Sequence, residues 1–292
     1  MFLVTGATGA QGGAVARSLL RQALPVRLLV RDLQSPAAAK LAALGAELAL
    51  GAFENPASLR AAMEGVQGVF SVQLYNPKQP ETETLAARAL IAAAKAAGVE
   101  CFVQTSVSGA DILGSMPGWA EGRWDKAYWE NKDRVEKDAL EAGFASAIVL
   151  RPAFMMENFI PPKSRWMFPD CAAGFLRTAT APNTSIALVA ADDIGTAAAL
   201  AFSGAASFTT LELAGDLLSF PEIAAVLSAA WGRKIVSETR TPEALVAAGQ
   251  SPGWVVTQQW LNEVGYPARP ADAKKFGLSL ASLANWAGQH QA

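Results

Sequence analysis

Three glycines at intervals of three, Gly6, Gly9 and Gly12, follow the apolar run 2–5 and lead into an alanine-rich amphipathic stretch. Glycine tolerates positive φ and lets a ligand approach the main chain closely. Where a strand turns on glycines into a helix, the N–H groups of the helix start face the turn and can hold an anion. The segment Val4-Thr5-Gly6-Ala7-Thr8-Gly9-Ala10-Gln11-Gly12 differs by one residue from the GxGxxG dinucleotide fingerprint. Its place at the first strand–helix junction carries the reading more than the glycines do, because a glycine turn can also exist with no ligand. Gly6, Thr8, Gly9, Ala10, Gln11 and Gly12 are the candidate pyrophosphate contacts.

The alternation continues through the first half. Residues 26–30, 47–50, 68–72, 102–105 and 146–150 read as further strands, and 14–23, 37–44, 56–64, 81–97 and 124–141 as helices between them. The strands are continuous apolar runs, as expected when helices cover both faces of a parallel sheet. A doubly wound, Rossmann-like α/β fold of order 3-2-1-4-5-6 is predicted, with residues 1–152 as the NAD(P)-binding domain. Beyond Pro152 the pattern loosens around Pro161, Pro162, Pro169 and Pro182. Residues 153–292 are expected to form a smaller, mostly helical, substrate-binding cap, with helices near 193–202, 221–231, 242–248 and 279–287. The segment 186–215 is expected to pack back on the sheet.

Composition narrows the function. The net charge of -2 over 292 residues, without a run of Lys and Arg, argues against nucleic-acid binding. No apolar run reaches the roughly 20 residues that span a bilayer, and the N-terminus lacks a basic, signal-like leader. A cytoplasmic location and no membrane association are expected. Cys101 and Cys171 read as small apolar residues rather than a disulfide framework. The single histidine, His290, reads as a solvated tail residue, which leaves no material for a histidine metal site or a Ser/His/Asp triad.

The second strand ends Leu29-Val30-Arg31-Asp32. An acidic residue near this point serves a ribose 2′-hydroxyl, whereas an arginine accommodates a 2′-phosphate. Arg31 therefore points to NADP(H), with Lys40 as a candidate second cation, while Asp32 keeps NAD open. Tyr128 and Lys132 are four residues apart and share a helix face. A lysine cation favours the phenolate and lowers the tyrosine pKa from about 10, which suits proton exchange with a carbonyl or alcohol. Ser106 and Ser108, at the end of the fifth strand, are both candidates to bond the substrate carbonyl. Serines at a strand end are also ordinary turn formers. Trp119, Trp124, Trp129, Phe154, Phe159, Trp166 and Phe168 are expected to frame an apolar or aromatic pocket, or else to pack as core.

Together these landmarks resemble the short-chain dehydrogenase/reductase superfamily and, more closely, its atypical NmrA-like branch. The segments 98–103, 151–159, 191–195 and 211–216 fit that branch as well, so the resemblance covers nearly the whole chain. It implies NADP(H) as cofactor, Arg31 at the 2′-phosphate, Gln73 near the nicotinamide half and Lys132 as a cofactor-contacting lysine. An acidic residue commonly follows the third strand's glycine in this branch. Here Gly51 is followed by Ala52 and Phe53, so Phe53 is the candidate adenine neighbour. Members of the branch are either reductases, quinone reductases among them, or dinucleotide-sensing regulators that bind partner proteins. Tyr128 favours an NADPH-dependent reductase of an apolar or aromatic carbonyl, enone or quinone. The alternative is a non-catalytic NADP(H) sensor acting through a protein partner. An epimerase or dehydratase with tightly held NAD is disfavoured by Arg31. A homodimer stays open.

Overall fold

Each apolar run of the first half forms a strand, and each intervening alanine-rich stretch a helix. The computed structural model describes residues 1–290. In chain order the elements are β1 (Phe2–Val4), α1 (Ala10–Arg21), β2 (Val26–Val30), α2 (Pro36–Ala43), β3 (Glu47–Leu50) and α3 (Pro56–Ala62). There follow β4 (Gly68–Ser71), α4 (Glu81–Ala96), β5 (Cys101–Thr105), α5 (Lys126–Glu141) and β6 (Ser146–Pro152). The second half continues with β7 (Phe154–Met155), α6 (Ser164–Met167), β8 (Phe175–Thr178), β9 (Ser185–Val189), α7 (Ala191–Phe202) and β10 (Thr210–Leu213). Then come β11 (Asp216–Ser219), α8 (Phe220–Trp231), β12 (Val236–Thr239), α9 (Pro242–Ala247), α10 (Pro252–Glu263), α11 (Pro270–Lys274) and α12 (Leu283–Gln289).

The main sheet has the order β10-β6-β5-β4-β1-β2-β3. The doubly wound order predicted for the first six strands is therefore present, with β10 added beside β6. Those six strands pair in parallel. On one face Leu3, Val69 and Phe102 pack against Leu59 of α3, Met63 at its end, and Leu90, Ile91 and Ala94 of α4. On the other face Phe2 meets Phe202 of α7 with ring centroids 4.9 Å apart. Helix α7 crosses α1 so closely that a Cβ on Gly195 would stand 2.6 Å from the Ala14 carbonyl oxygen. Fully enclosed side chains such as Leu3, Leu90 and Phe102 each contribute about 2 kcal/mol to this core.

The chain forms two compact units. The first comprises Met1–Asp111, Ala127–Arg151 and Ala191–Leu211, and the second Ile112–Lys126, Pro152–Ala190 and the chain from Glu212 onward. In the second unit β7, β9 and β11 form one small sheet, and β8 and β12 pair in parallel. These strands are too short to show a two-residue period, and the sequence reading placed none of them. Helix α10 was missed too, although Pro252 at its first turn is a helix-start signal. No described helix is long and apolar enough to cross a membrane.

One open alternative of the sequence is decided in this unit, and one expectation is corrected. Phe154, Phe159 and Phe168 do not frame an open pocket; they are buried on one another and on Trp254, with centroids 5.4–6.4 Å apart. Rings of this size bury large areas and stabilise each other in tilted and edge contacts, so packing wins. His290 is not a solvated tail residue. Its ring stacks on Trp286 at 4.8 Å, and its carbonyl oxygen accepts a hydrogen bond from Trp231 Nε1 at 2.6 Å. Cys171 is buried and Cys101 half-buried, and desolvation pushes both thiols up.

Helix α1 starts at Ala10, inside the glycine turn, rather than at residue 14. A helical glycine costs about 1 kcal/mol relative to alanine, yet the close approach described below requires it. The helix ends with paired bonds from Ala23 N to Leu20 O and from Leu24 N to Leu19 O. Ala23 takes the left-handed position of this cap, at φ 55°, where glycine is the usual occupant. An exposed alanine carries the Cβ penalty there. Ala23→Gly is expected to stabilise the protein by about 1 kcal/mol, read as a higher urea midpoint with an unchanged m-value. A lower midpoint would show that unfolded-state entropy outweighs the left-handed strain.

Candidate active site

The glycine turn is built against the ends of β1 and β4. Thr5 Oγ1 accepts from Val72 N at 2.9 Å and donates to Phe70 O at 3.1 Å, which pins the two strand ends together. Gly6 then turns the chain at φ 59°, and a Cβ on it would stand 2.5 Å from Val72 Cγ1. Gly9 occupies the N-cap of α1 in an extended conformation, and no side chain caps the helix. Gly12 is buried in the first turn, where a Cβ would lie 2.4 Å from Thr5 O and 2.5 Å from Gly6 O. The helix start therefore rests directly on strand backbone. Thr8 and Gly9 are exposed on the open side, with Ala10 and Gln11 half-buried beside them. Gln11 Oε1 accepts from Thr105 Oγ1 at 2.6 Å and ties this turn to the end of β5. The narrow glycine cradle and the uncapped helix start fit a pyrophosphate.

The end of β2 beside it presents the first of the cations found in the sequence. Arg31 is exposed directly after β2, and no carboxylate among the described residues pairs with it. Asp32 is turned to local use, its Oδ1 accepting from Gln34 N at 2.8 Å. Gly51 N donates to Val30 O at 2.9 Å, so the ends of β2 and β3 are neighbours. Phe53, just beyond β3, is half-buried against the core packed under α3 and α4. Lys40 is exposed in the last turn of α2, where a cation meets the negative end of the helix dipole.

On α5, Tyr128 and Lys132 share a face, with Lys132 Nζ 5.4 Å from the Tyr128 ring centroid. The Tyr128 ring makes edge contacts with Tyr75, beyond β4, at 5.2 Å and with Trp129 at 5.3 Å. Lys132 forms an ion pair with Glu83 of α4. The Glu83 side chain is only 2% exposed, and its second oxygen has no hydrogen-bond partner among the described residues. Next to this pair Thr84 Oγ1 donates to Asn131 Oδ1 at 2.7 Å, and Asn131 Nδ2 donates to Pro80 O at 2.7 Å. The start of α4 is thereby locked to α5.

At the end of β5 the Ser106 hydroxyl is buried and has no partner among the described residues, whereas Ser108 is fully enclosed. Gln73 is drawn inward: its Nε2 donates to Ser71 Oγ at 2.8 Å, and its Oε1 accepts from Gln104 Nε2 at 3.1 Å. The hydrogen bonds and ring contacts thus join the loops after β1, β4 and β5 to α5 along one edge of the sheet.

The NmrA-like family model matches residues 1–269. The chain belongs to the NmrA-like family. A curated relative is the NAD(P)H azoreductase of Xenophilus azovorans, 38% identical over 160 residues, which are 55% of this chain and 50% of that protein. The chain spans about half the length of the curated relatives it matches first. Among solved structures, the Citrobacter sp. triphenylmethane reductase complexed with NADP(H) superposes with a TM-score of 0.77 at 21% identity, covering 99% of each chain. The NADPH-dependent quinone oxidoreductase QOR2 of Escherichia coli, complexed with NADPH, gives 0.75 at 23% identity, again covering 99% of each. These two likenesses establish a shared fold.

Sequence reasoning missed Glu83 and Thr5 in this NmrA-like chain. Glu83 did leave a signal. It falls in phase with Ala87, Leu90, Ile91 and Ala94 on the buried face of α4, where a carboxylate needs a partner. Thr5 left none, because its hydroxyl serves a strand end distant in sequence.

Proposed function

We propose that this NmrA-like chain is an NADP(H)-dependent oxidoreductase that reduces an apolar or aromatic carbonyl, enone or quinone. The observation that carries this reading is the presence in one compact unit of the glycine cradle, the Tyr128–Lys132 face and the buried Ser106 hydroxyl, which has no partner among the described residues. The cradle of Gly6, Gly9 and Gly12, with Thr8, Ala10 and Gln11, holds the pyrophosphate, and Arg31 takes the 2′-phosphate. Bound in its reduced form, the cofactor supplies a hydride to the substrate carbon. Ser106 bonds the substrate oxygen, and Tyr128 gives that oxygen its phenolic proton. Water returns a proton to the phenolate. The remaining Lys132 donors hold the nicotinamide ribose. An azoreductase relative, and fold neighbours that act as a triphenylmethane reductase and a quinone oxidoreductase, support an aromatic acceptor.

The test is NADPH and NADH binding, followed by NADPH oxidation across quinones, enones, aromatic aldehydes, azo dyes and triphenylmethane dyes. Tyr128→Phe is expected to lower turnover of the accepted compound about a hundredfold while NADPH affinity holds. Full turnover by that variant removes Tyr128 as the proton donor. Tight NADPH binding with no turnover of any acceptor by the unmodified protein would instead identify a dinucleotide sensor, and tighter binding of NADH would overturn the role given to Arg31.

A further inference from the structure

The sequence alone gives Tyr128 a lysine neighbour and nothing to balance its charge. The structure supplies the balance. Glu83, from the first turn of α4, contacts Lys132 Nζ, and both side chains are withdrawn from water at 2% and 12% exposure. A carboxylate there is favoured by the positive end of the helix dipole and, with its second oxygen unpartnered among the described residues, depends on Lys132. Along this face of α5, Asp125 lies just before the helix, and one turn beyond Lys132 Glu136 is bound by Arg151, which also holds Asp111. Tyr75, the neighbour on the β4 side, is uncharged below its own titration.

We infer that Glu83 is a positioning residue that neutralises Lys132, so that Tyr128 is kept as a protonated phenol and the site is set for proton donation, hence for reduction. A lone lysine cation this close would pull the phenol down toward phenolate, the form suited to removing a proton from an alcohol. Paired with a buried carboxylate, the same ammonium still fixes geometry but loses most of its net field at the ring. The inference deepens the proposed reductase reading and rests on its placement of Tyr128 at the substrate oxygen.

The chain has three tyrosines, so replacing Tyr75 and Tyr266 with Phe leaves Tyr128 as the only tyrosinate signal in an alkaline absorbance titration. In that background Glu83→Gln is expected to lower the Tyr128 midpoint by about one pH unit, the size expected for removing one nearby charge in partly screened protein. Lys132→Met is expected to raise it by a similar amount, because it removes the cation that favours the phenolate. The charge-neutral double variant Glu83→Gln/Lys132→Met is expected to return it close to the starting value. Glu83→Asp is expected to restore the original midpoint. For an accepted substrate, the alkaline fall in kcat would move to lower pH in Glu83→Gln. If Glu83→Gln does not fold, the Lys132→Met and double-variant midpoints decide alone. Midpoints that stay together in all folded variants overturn the inference. The titration needs no substrate, so a protein that turns over nothing would defeat the reductase reading and leave the Glu83 result standing or falling separately.

Discussion

Gly12→Ala is expected to raise the dissociation constant for NADPH at least a thousandfold and to lower stability by about 3 kcal/mol. The added Cβ would stand 2.4 Å from Thr5 O and 2.5 Å from both the carbonyl carbon and oxygen of Gly6. These are backbone atoms, and no rotamer change relieves them. Thr5 cannot retreat, because its hydroxyl is bonded to Val72 N and Phe70 O across to β4. The relief left is for the start of α1 to tilt away from the strand. That tilt moves the first-turn N–H groups from the place where a pyrophosphate would bind. The helix-propensity gain of alanine over glycine, about 1 kcal/mol, is too small to offset the clash. Urea unfolding without ligand and NADPH titration by fluorescence read the two effects separately. A variant with an unchanged midpoint and unchanged affinity would show that the turn yields without cost.

Arg151→Met is expected to destabilise the protein by about 3–5 kcal/mol. Arg151, at the end of β6, forks onto Glu136 of α5, its Nη2 2.6 Å from Oε2, and its Nη1 reaches Asp111 Oδ2 at 2.6 Å. The Arg151 and Glu136 side chains are 10% and 3% exposed, so removing the arginine leaves a buried carboxylate without its cation. Burial opposes the guanidinium's charge, but the hydrogen bonds and charges of Glu136 and Asp111 outweigh it and raise its pKa. The guanidinium therefore stays charged over the whole working pH range, and no alkaline loss of this contact is expected below the ordinary arginine pKa. The double variant Arg151→Met/Glu136→Leu is expected to recover most of the lost stability, because a well-packed apolar pair can replace a buried ion pair. Denaturant midpoints of the two singles and the double close the cycle. A single variant that loses less than about 1 kcal/mol would place this pair among weak surface contacts.

The two ion pairs explain why α5 could be only partly read from sequence. The spacing of Tyr128 and Lys132 fixed their common face, and the same spacing carried on to Glu136 places a second charge in line with it. Each charge needs a partner because that face is covered. The partners are Glu83 and Arg151, at separations of 49 and 15 residues, and no local period points to either. The aromatic residues show the same limit. Composition along the chain located the rings, but whether Phe154, Phe159 and Phe168 line a space or fill one depends on Trp254, nearly a hundred residues later.

By itself the sequence determined the doubly wound sheet, the glycine turn at its first junction, the arginine after the second strand and the tyrosine–lysine face. All of these are written in spacings of a few residues, the range over which helix and strand periods and turn sterics act. Tertiary structure alone decided that Gly12 rests on strand backbone, that Asp32 is spent on a local turn, that the Ser106 hydroxyl finds no partner among the described residues while Ser108 is enclosed, and that Lys132 meets a buried carboxylate. Those facts depend on which elements are brought into contact, and burial then makes each unpaired charge and hydrogen-bonding group costly enough to choose its partner.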